Sequence, residues 1–200
     1  MKVVLVGASG AIGSHVLKML EENGHEAVRV GRNSGDFRAD LSDRESVREL
    51  YRTLGSFAAV ANASGDVAFA PLEKLGPKEW SLSLGSKLLG QIHLVQEAVP
   101  FIRERGSFTL VSGITGDDPI QSGVAAATVS RAIEGFVLSS ANELPKGLRI
   151  NVVSPTLLTE SVKDYGEFFP GYASVDGSRV ALAYRKSIFG NQTGQKYTVY

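Results

Sequence analysis

The chain has 200 residues, 43% of them hydrophobic, enough for one globular domain with a full core. Its formal net charge is zero, so no electrostatic case for nucleic acid or a membrane surface follows. It has no cysteine, which excludes disulfides, thiolate chemistry and cysteine metal sites and fits a reducing, cytoplasmic compartment.

Residues 2–6 (Lys-Val-Val-Leu-Val) read as a strand, and they run into Gly7-Ala8-Ser9-Gly10-Ala11-Ile12-Gly13. A strand that breaks into glycines at three-residue spacing and then opens a helix is the pattern of a dinucleotide pyrophosphate site. Gly7 lets the chain turn off the strand, Gly10 lets the backbone approach phosphates, and Gly13 lets the helix pack close. The helix N-terminus, around Ser9 to Ile12, offers free N–H groups to an anion. This opening run is too short for a signal peptide.

An amphipathic helix spans 11–23 and ends at Asn23-Gly24. Strands follow at 26–30 and 36–40. Ser42 reads as an N-cap and Glu45 as its capping-box partner for the next helix. Residues 57–61 form an apolar strand buried on both faces. Pro77 begins a long helix to about residue 105, bent near Pro100. A strand at 107–112, an Ala/Ser-rich helix at 121–144, a strand at 148–153, a helix at 175–188 and a strand at 196–200 complete the chain. No apolar stretch is long enough to span a bilayer. His15, His25 and His93 have no metal-ligand spacing and read as surface or satisfied residues, so no metal is expected. The alternation predicts an α/β fold: a Rossmann-type, doubly wound parallel sheet in a single three-layer α/β/α domain, with ligands outside the carboxyl ends of the strands.

Several motifs now stand in order, and with them the chain resembles the short-chain dehydrogenase/reductase superfamily over nearly its whole length. The glycine turn is one. Asp40-Leu41 is similar to the family's acid-and-apolar pair at the adenine. Asn62-Ala63-Ser64-Gly65 resembles its Asn-Asn-Ala-Gly motif at the adenosine ribose. Trp80 and Gly90 match landmarks of its fifth helix. Arg149-Ile150-Asn151-Val152-Val153-Ser154-Pro155 is close to its Arg-Ile-Asn-x-Val-x-Pro stretch, which makes Pro155 a cofactor contact. Thr193-Gly194-Gln195 resembles the approach to its last strand. The resemblance implies an oxidoreductase.

The second strand ends in Gly31-Arg32-Asn33-Ser34, without the acid that takes a ribose 2′-OH. The Arg32 guanidinium suits a 2′-phosphate, and Asn33 and Ser34 add donors, so NADP(H) is expected over NAD(H). The bland alternative for Arg32 is a solvated turn residue.

The resemblance also implies a catalytic Tyr-x-x-x-Lys pair, a serine and an asparagine. Placed from their flanking residues, these positions hold Ala126, Ser130, Gly113 and Lys87, and no tyrosine has a lysine four residues later. Either other residues do the chemistry, or the protein is a dinucleotide-binding sensor without turnover. Lys87 is the leading substitute, as a proton donor or as an anchor for the nicotinamide ribose; it could also merely fill space. Ser112 and Ser130 are weaker candidates, since alternation points Ser112 away from Gly113's face. Thr128 reads as packing, and Asp117-Asp118-Pro119 as a solvated turn. Tyr165, Tyr172 and Tyr184 could enter a pocket. Phe168-Phe169-Pro170-Gly171-Tyr172 reads as a lid or as a satellite core cluster. Gly123 and Ala125-Ala126-Ala127 leave one helix face bare, for pocket widening at Ala126 and for pairing of copies into a homodimer or homotetramer through the fifth and sixth helices. The small-molecule substrate is not readable.

Overall fold

Val3, Val4, Leu5 and Val6 are all buried, so β1 (Lys2–Val6) needs cover on both faces. In the computed structural model, which describes residues 1–200, that cover is a helical layer on each side of a seven-stranded parallel sheet. The other strands are β2 (Glu26–Gly31), β3 (Phe37–Arg38), β4 (Phe57–Asn62), β5 (Ile102–Val111), β6 (Arg149–Pro155) and β7 (Lys196–Val199). Their spatial order is β3-β2-β1-β4-β5-β6-β7. The order reverses between β1 and β4, which opens a crevice at their carboxyl ends.

Alternation sorts the two faces. Val3 and Leu5 pack under α1 (Ala11–Glu22) and α7 (Gly177–Phe189), against Val16, Leu20, Val180 and Tyr184. Val4 and Val6 face α2 (Arg44–Leu54), which with the later helices of this layer supplies Val47, Leu50, Leu94 and Ile133. Each such side chain contributes about 1.5–3 kcal/mol on burial.

Several boundaries differ from the sequence reading, each for a local reason. The long helix is three consecutive pieces: α3 (Pro77–Leu82), a π-helical stretch (Ser83–Leu89) and α4 (Gly90–Ala98). It stops before Pro100, which cannot donate to a helix and disfavours helical backbone just before it. Residues 102–106 join β5 instead, and Ile102 pairs with Phe57. The ladder then slips, with Arg105 at φ 59°, and Gly106 lies so close to Ala58 that a Cβ would stand 2.7 Å from its carbonyl oxygen. The N-cap of α2 is Asp43, which accepts from the Glu45 amide; Ser42 is instead bound to Asp40, so there is no Ser42–Glu45 box. The helix read at 121–144 is α5 (Val124–Ser140), and β3 is shorter than read. A short helix, α6 (Val162–Tyr165), lies in the segment after β6.

The Arg149-Ile150-Asn151 stretch has a packing role. Arg149 donates to the Ser187 and Ile188 carbonyls at the end of α7 (2.8 and 2.9 Å). Asn151 binds the backbone of Gln192 and Gln195, fixing the approach to β7.

Candidate active site

Three adjoining cavities line the crevice. The first, about 280 Å³, runs from Gly31, Arg32, Asn33 and Ser34 at the end of β2, past Ala39 and Leu41, to Gly7, Ser9, Ser64 and Gly65. The second, about 270 Å³, shares Gly65 and Asp66 with it and is walled by Val67, Phe69, Leu157, Tyr165 and Phe169. The third, about 120 Å³, shares Val67, Phe69 and Phe169 and ends on Lys87, Gly113, Ala126 and Ser130.

The turns that shape this cleft need their glycines. Gly7 has φ +81°, and a Cβ there would collide with Ser64 Cβ at 2.8 Å and the Ala63 oxygen at 2.9 Å. At Gly13 a Cβ would stand 1.9 Å from the Gly7 oxygen, so α1 is pressed directly on the turn. The Asn62 amide clasps Ser64, donating to its carbonyl (2.9 Å) and accepting from its hydroxyl (2.8 Å). The Tyr184 hydroxyl donates to the Asn62 carbonyl at 2.6 Å, so this tyrosine belongs to the core and not to a pocket.

Not every expected cofactor residue faces the cleft. Gly7, Ser9, Arg32, Asn33, Ser34, Leu41, Ser64 and Gly65 line the first cavity, and Lys87 and Pro155 the third. Gly10, Ala11, Ile12, Gly13, Asp40, Asn62 and Ala63 line none of the three. The Gly10 amide is taken by the Gly7 carbonyl (3.0 Å), and the Asp40 carboxylate is taken by the Ser42 amide and hydroxyl (2.9 and 2.7 Å). Those hydrogen bonds hold Asp40's carboxyl below its ordinary range.

Asp66 was not singled out from the sequence, yet it stands where the first two cavities meet. Its carboxylate pairs with Arg32 Nη2 at 3.3 Å, with both side chains more than half exposed. The signal was available: an acid directly after the Asn62–Gly65 turn, beside a cleft rim that carries Arg32. Lys87 lies in the π-helical stretch, with its stem against Gly65, where a Cβ would stand 2.8 Å from Lys87 Cδ. Burial pushes the Lys87 ammonium down to about 8, against the pull of the Asp66 carboxylate. Ser112 lies past the end of β5, where alternation no longer applies; it lines the same cavity as Gly113 and donates to Glu134 on α5 at 3.1 Å. Asp117 is an exposed turn residue, as expected, and it is also tied down by ion pairs. It pairs with Lys196 (2.5 Å) and Arg131 (2.9 Å), because the loop after β5 folds against α5 and β7.

The histidines are satisfied, though His15 is more engaged than its spacing suggested. Its Nε2 meets Glu160 at 2.6 Å, close to Asp176, tying α1 to the segment after β6. Tyr172 donates to the Asp118 carbonyl, and Tyr165 walls the second cavity.

Comparison with known proteins agrees with this geometry. The family described as enoyl-(acyl carrier protein) reductase matches residues 1–183. The chain belongs to the short-chain dehydrogenase/reductase superfamily. An uncharacterized oxidoreductase of Staphylococcus epidermidis is 22% identical over 189 residues, 82% of each chain. The crystal structure of the protein lin1944 from Listeria innocua superposes with a TM-score of 0.98 at 42% identity over all of both chains. A small-chain dehydrogenase solved in complex with NADPH superposes at 0.88 and 23% identity, over 100% of this chain and 96% of that one. In this short-chain dehydrogenase/reductase, Lys87, Gly113, Ala126 and Ser130 all line the third cavity. The relatives that match it in sequence include uncharacterized oxidoreductases.

Proposed function

We propose that the chain is an NADP(H)-dependent reductase of small carbonyl compounds in which Lys87 takes the place of the missing tyrosine. One observation carries this reading: the cleft that begins at Arg32 ends at Lys87. The residues fit a phosphate-bearing dinucleotide. The glycine turn at Gly7 admits a close backbone approach, and Arg32, Asn33 and Ser34 place donors where β2 ends without a carboxylate. The Arg32–Asp66 pair is exposed and contributes only about 0–1 kcal/mol, so Arg32 can exchange Asp66 for a 2′-phosphate at little cost. A superfamily fold solved with NADPH supports the same cofactor.

When bound, the reduced nicotinamide would supply the hydride. Lys87 supports the reaction through its own chemistry. An ammonium with a pKa near 8 is charged at neutral pH and gives up a proton readily to a developing alkoxide. Ser130, on the same cavity wall, can donate a hydrogen bond to that oxygen. Ala126 leaves open the volume a tyrosine would fill.

Gly113 and Ala126 favour a second reading, a dinucleotide sensor that binds without turnover. Adding small aldehydes, ketones and quinones to the NADPH-loaded protein separates the two. NADPH oxidation that falls with Lys87→Ala supports the reductase; tight binding without oxidation across the panel supports the sensor.

We further infer that copies pair through the faces of the long helix (α3 to α4) and of α5. Leu82, Leu84 and Leu89 on the long helix and Leu138 on α5 are exposed, at 43%, 37%, 46% and 65%.

A further inference from the structure

His15, Glu160 and Asp176 are far apart in the chain, so no ligand spacing marks them in the sequence, yet they meet at one point of the fold. His15 is on α1, Glu160 opens the segment after β6, and Asp176 closes that segment as the N-cap of α7. The excursion between the two acids is pinched at its base. Leu158 and Val175 form a parallel bridge, in which the Thr159 amide donates to the Val175 carbonyl and the Val175 amide to the Leu157 carbonyl, both at 2.9 Å. The bridge brings Glu160 and Asp176 together beside α1. His15 Nε2 stands 2.6 Å from Glu160 Oε1, and one ligand atom from each of the three residues lies within 4.8 Å of the other two.

The two carboxylates are held from behind. Glu160 Oε1 accepts from the Gly177 amide at 3.0 Å, and Asp176 Oδ1 accepts from the Ser178 amide at 2.8 Å, which leaves the other oxygen of each without a partner. Only glycine fits behind the pair: a Cβ on Gly177 would stand 2.4 Å from the His15 ring and 2.8 Å from Glu160 Oε1. The charge is uncompensated. No lysine or arginine pairs with either acid, and hydrogen bonds from Ser178 hold the Asp176 carboxyl below its ordinary range. Two carboxylates therefore share one imidazole.

The donor set narrows the ligand. One imidazole nitrogen with carboxylate oxygens suits zinc and its neighbours, whereas magnesium prefers oxygen and keeps its water. Bonds of about 2.0–2.2 Å in a tetrahedron put donor atoms about 3.3 Å apart. That spacing lies between the 2.6 Å His15–Glu160 contact and the 4.8 Å limit of the set. The His15 and Glu160 side chains are 28% and 30% exposed, which gives an ion a way in and water the fourth position.

We propose that His15, Glu160 and Asp176 form a binding site for a zinc-like divalent ion, which ties both ends of the 160–176 excursion to α1. The ion takes the place of the proton between His15 and Glu160. None of the three residues lines the cleft, so the site stands or falls separately from the reductase reading.

Titration calorimetry of the untagged full chain with zinc chloride tests this, with magnesium chloride as the control. The expected result is one zinc bound per chain with a micromolar Kd, no magnesium binding in that range, and affinity lowered at least about tenfold in both His15→Gln and Asp176→Asn. Asparagine also caps a helix, so Asp176→Asn removes a ligand charge while α7 keeps its start. Zinc should also slow amide exchange across residues 160–176 in the wild type and not in Asp176→Asn. No zinc binding tighter than millimolar, equal binding of magnesium, affinity unchanged in both variants, or unaltered exchange would overturn the inference.

Discussion

A lysine whose stem lies on a glycine backbone and that lines a small cavity is poorly hydrated, and Lys87 has that arrangement. Its folded pKa is lowered from 10.5 to about 8, so burial opposes the charged form. If the ammonium is the proton donor, turnover holds below about pH 8 and declines as the pH rises through it; a pH–rate profile flat across that range would count against this role. The linkage has the opposite sense to that of a paired lysine. The charge costs stability below about pH 8, and the cost fades as the pH rises toward 10.5. Lys87→Met should therefore lower turnover by about 10²-fold or more without lowering the urea midpoint at neutral pH. A fall in both would mark Lys87 as a packing residue. Arg32 calls for a different readout. A charge-assisted contact contributes about 1.5–3 kcal/mol, so Arg32→Ala should weaken NADPH binding by about 10- to 100-fold and leave NADH unchanged.

Elements carry the next set of consequences. α2 is held to α4 by Glu97, which is 8% exposed and receives Arg44 at 2.5 Å and Arg48 at 2.9 Å. The Arg48 hydrogen bond, with Arg44 beside it, holds the Glu97 carboxyl below its ordinary 4.5. This pairing is complete above pH 4.5 and is lost as the pH falls through the lowered value. Glu97→Ala should cost about 2 kcal/mol in urea unfolding at pH 7, and less at pH 3. Gly13→Ala puts a methyl against the Gly7–Ala8 backbone, where no rotamer relieves it, and should cost at least about 3 kcal/mol or prevent folding. Gly113→Ser is the contrast. Its Cβ would meet only Ser130 Oγ at 3.6 Å and Thr115 Oγ1 at 3.9 Å, so stability should change little.

Most of these elements are legible in the chain because hydrophobic period and glycine punctuation are local. The run of Val3 to Val6 and the turn at Gly7 require nothing from elsewhere. What the sequence hides depends on distant partners. In the π-helical stretch Ser86 and Ser83 accept from the Asp66 and Ala68 amides, and neither serine carries a local signature of that. The extra residues of β5 are recruited by Phe57. Asp43 displaces Ser42 as the cap because Asp40 has already taken Ser42. At the site, Arg32 and Lys87 are recognised from motif position, whereas Asp66 and Phe69 emerge only when the segment after β4 folds against the long helix.

At the scale of the whole molecule, the switch in strand order sets everything else. It puts the Gly7 turn and the Asn62–Gly65 turn on either side of one crevice, and α5 closes the far end. The helix faces that carry Leu82, Leu89 and Leu138 lie outside this crevice and remain exposed. Paired copies should appear as a dimer or tetramer in light scattering, and Leu89→Glu with Leu138→Glu should shift the mass to that of a monomer. A monomeric wild-type chain would remove the pairing proposal. No helix is long and apolar enough to cross a membrane. The central claim is that the crevice from Arg32 to Lys87 is a site for a 2′-phosphorylated dinucleotide. Titration of the purified protein with NADPH and NADH, followed by nucleotide fluorescence, tests it most directly. The account predicts NADPH binding at least about tenfold tighter than NADH; equal or weaker NADPH binding, or none, would contradict it.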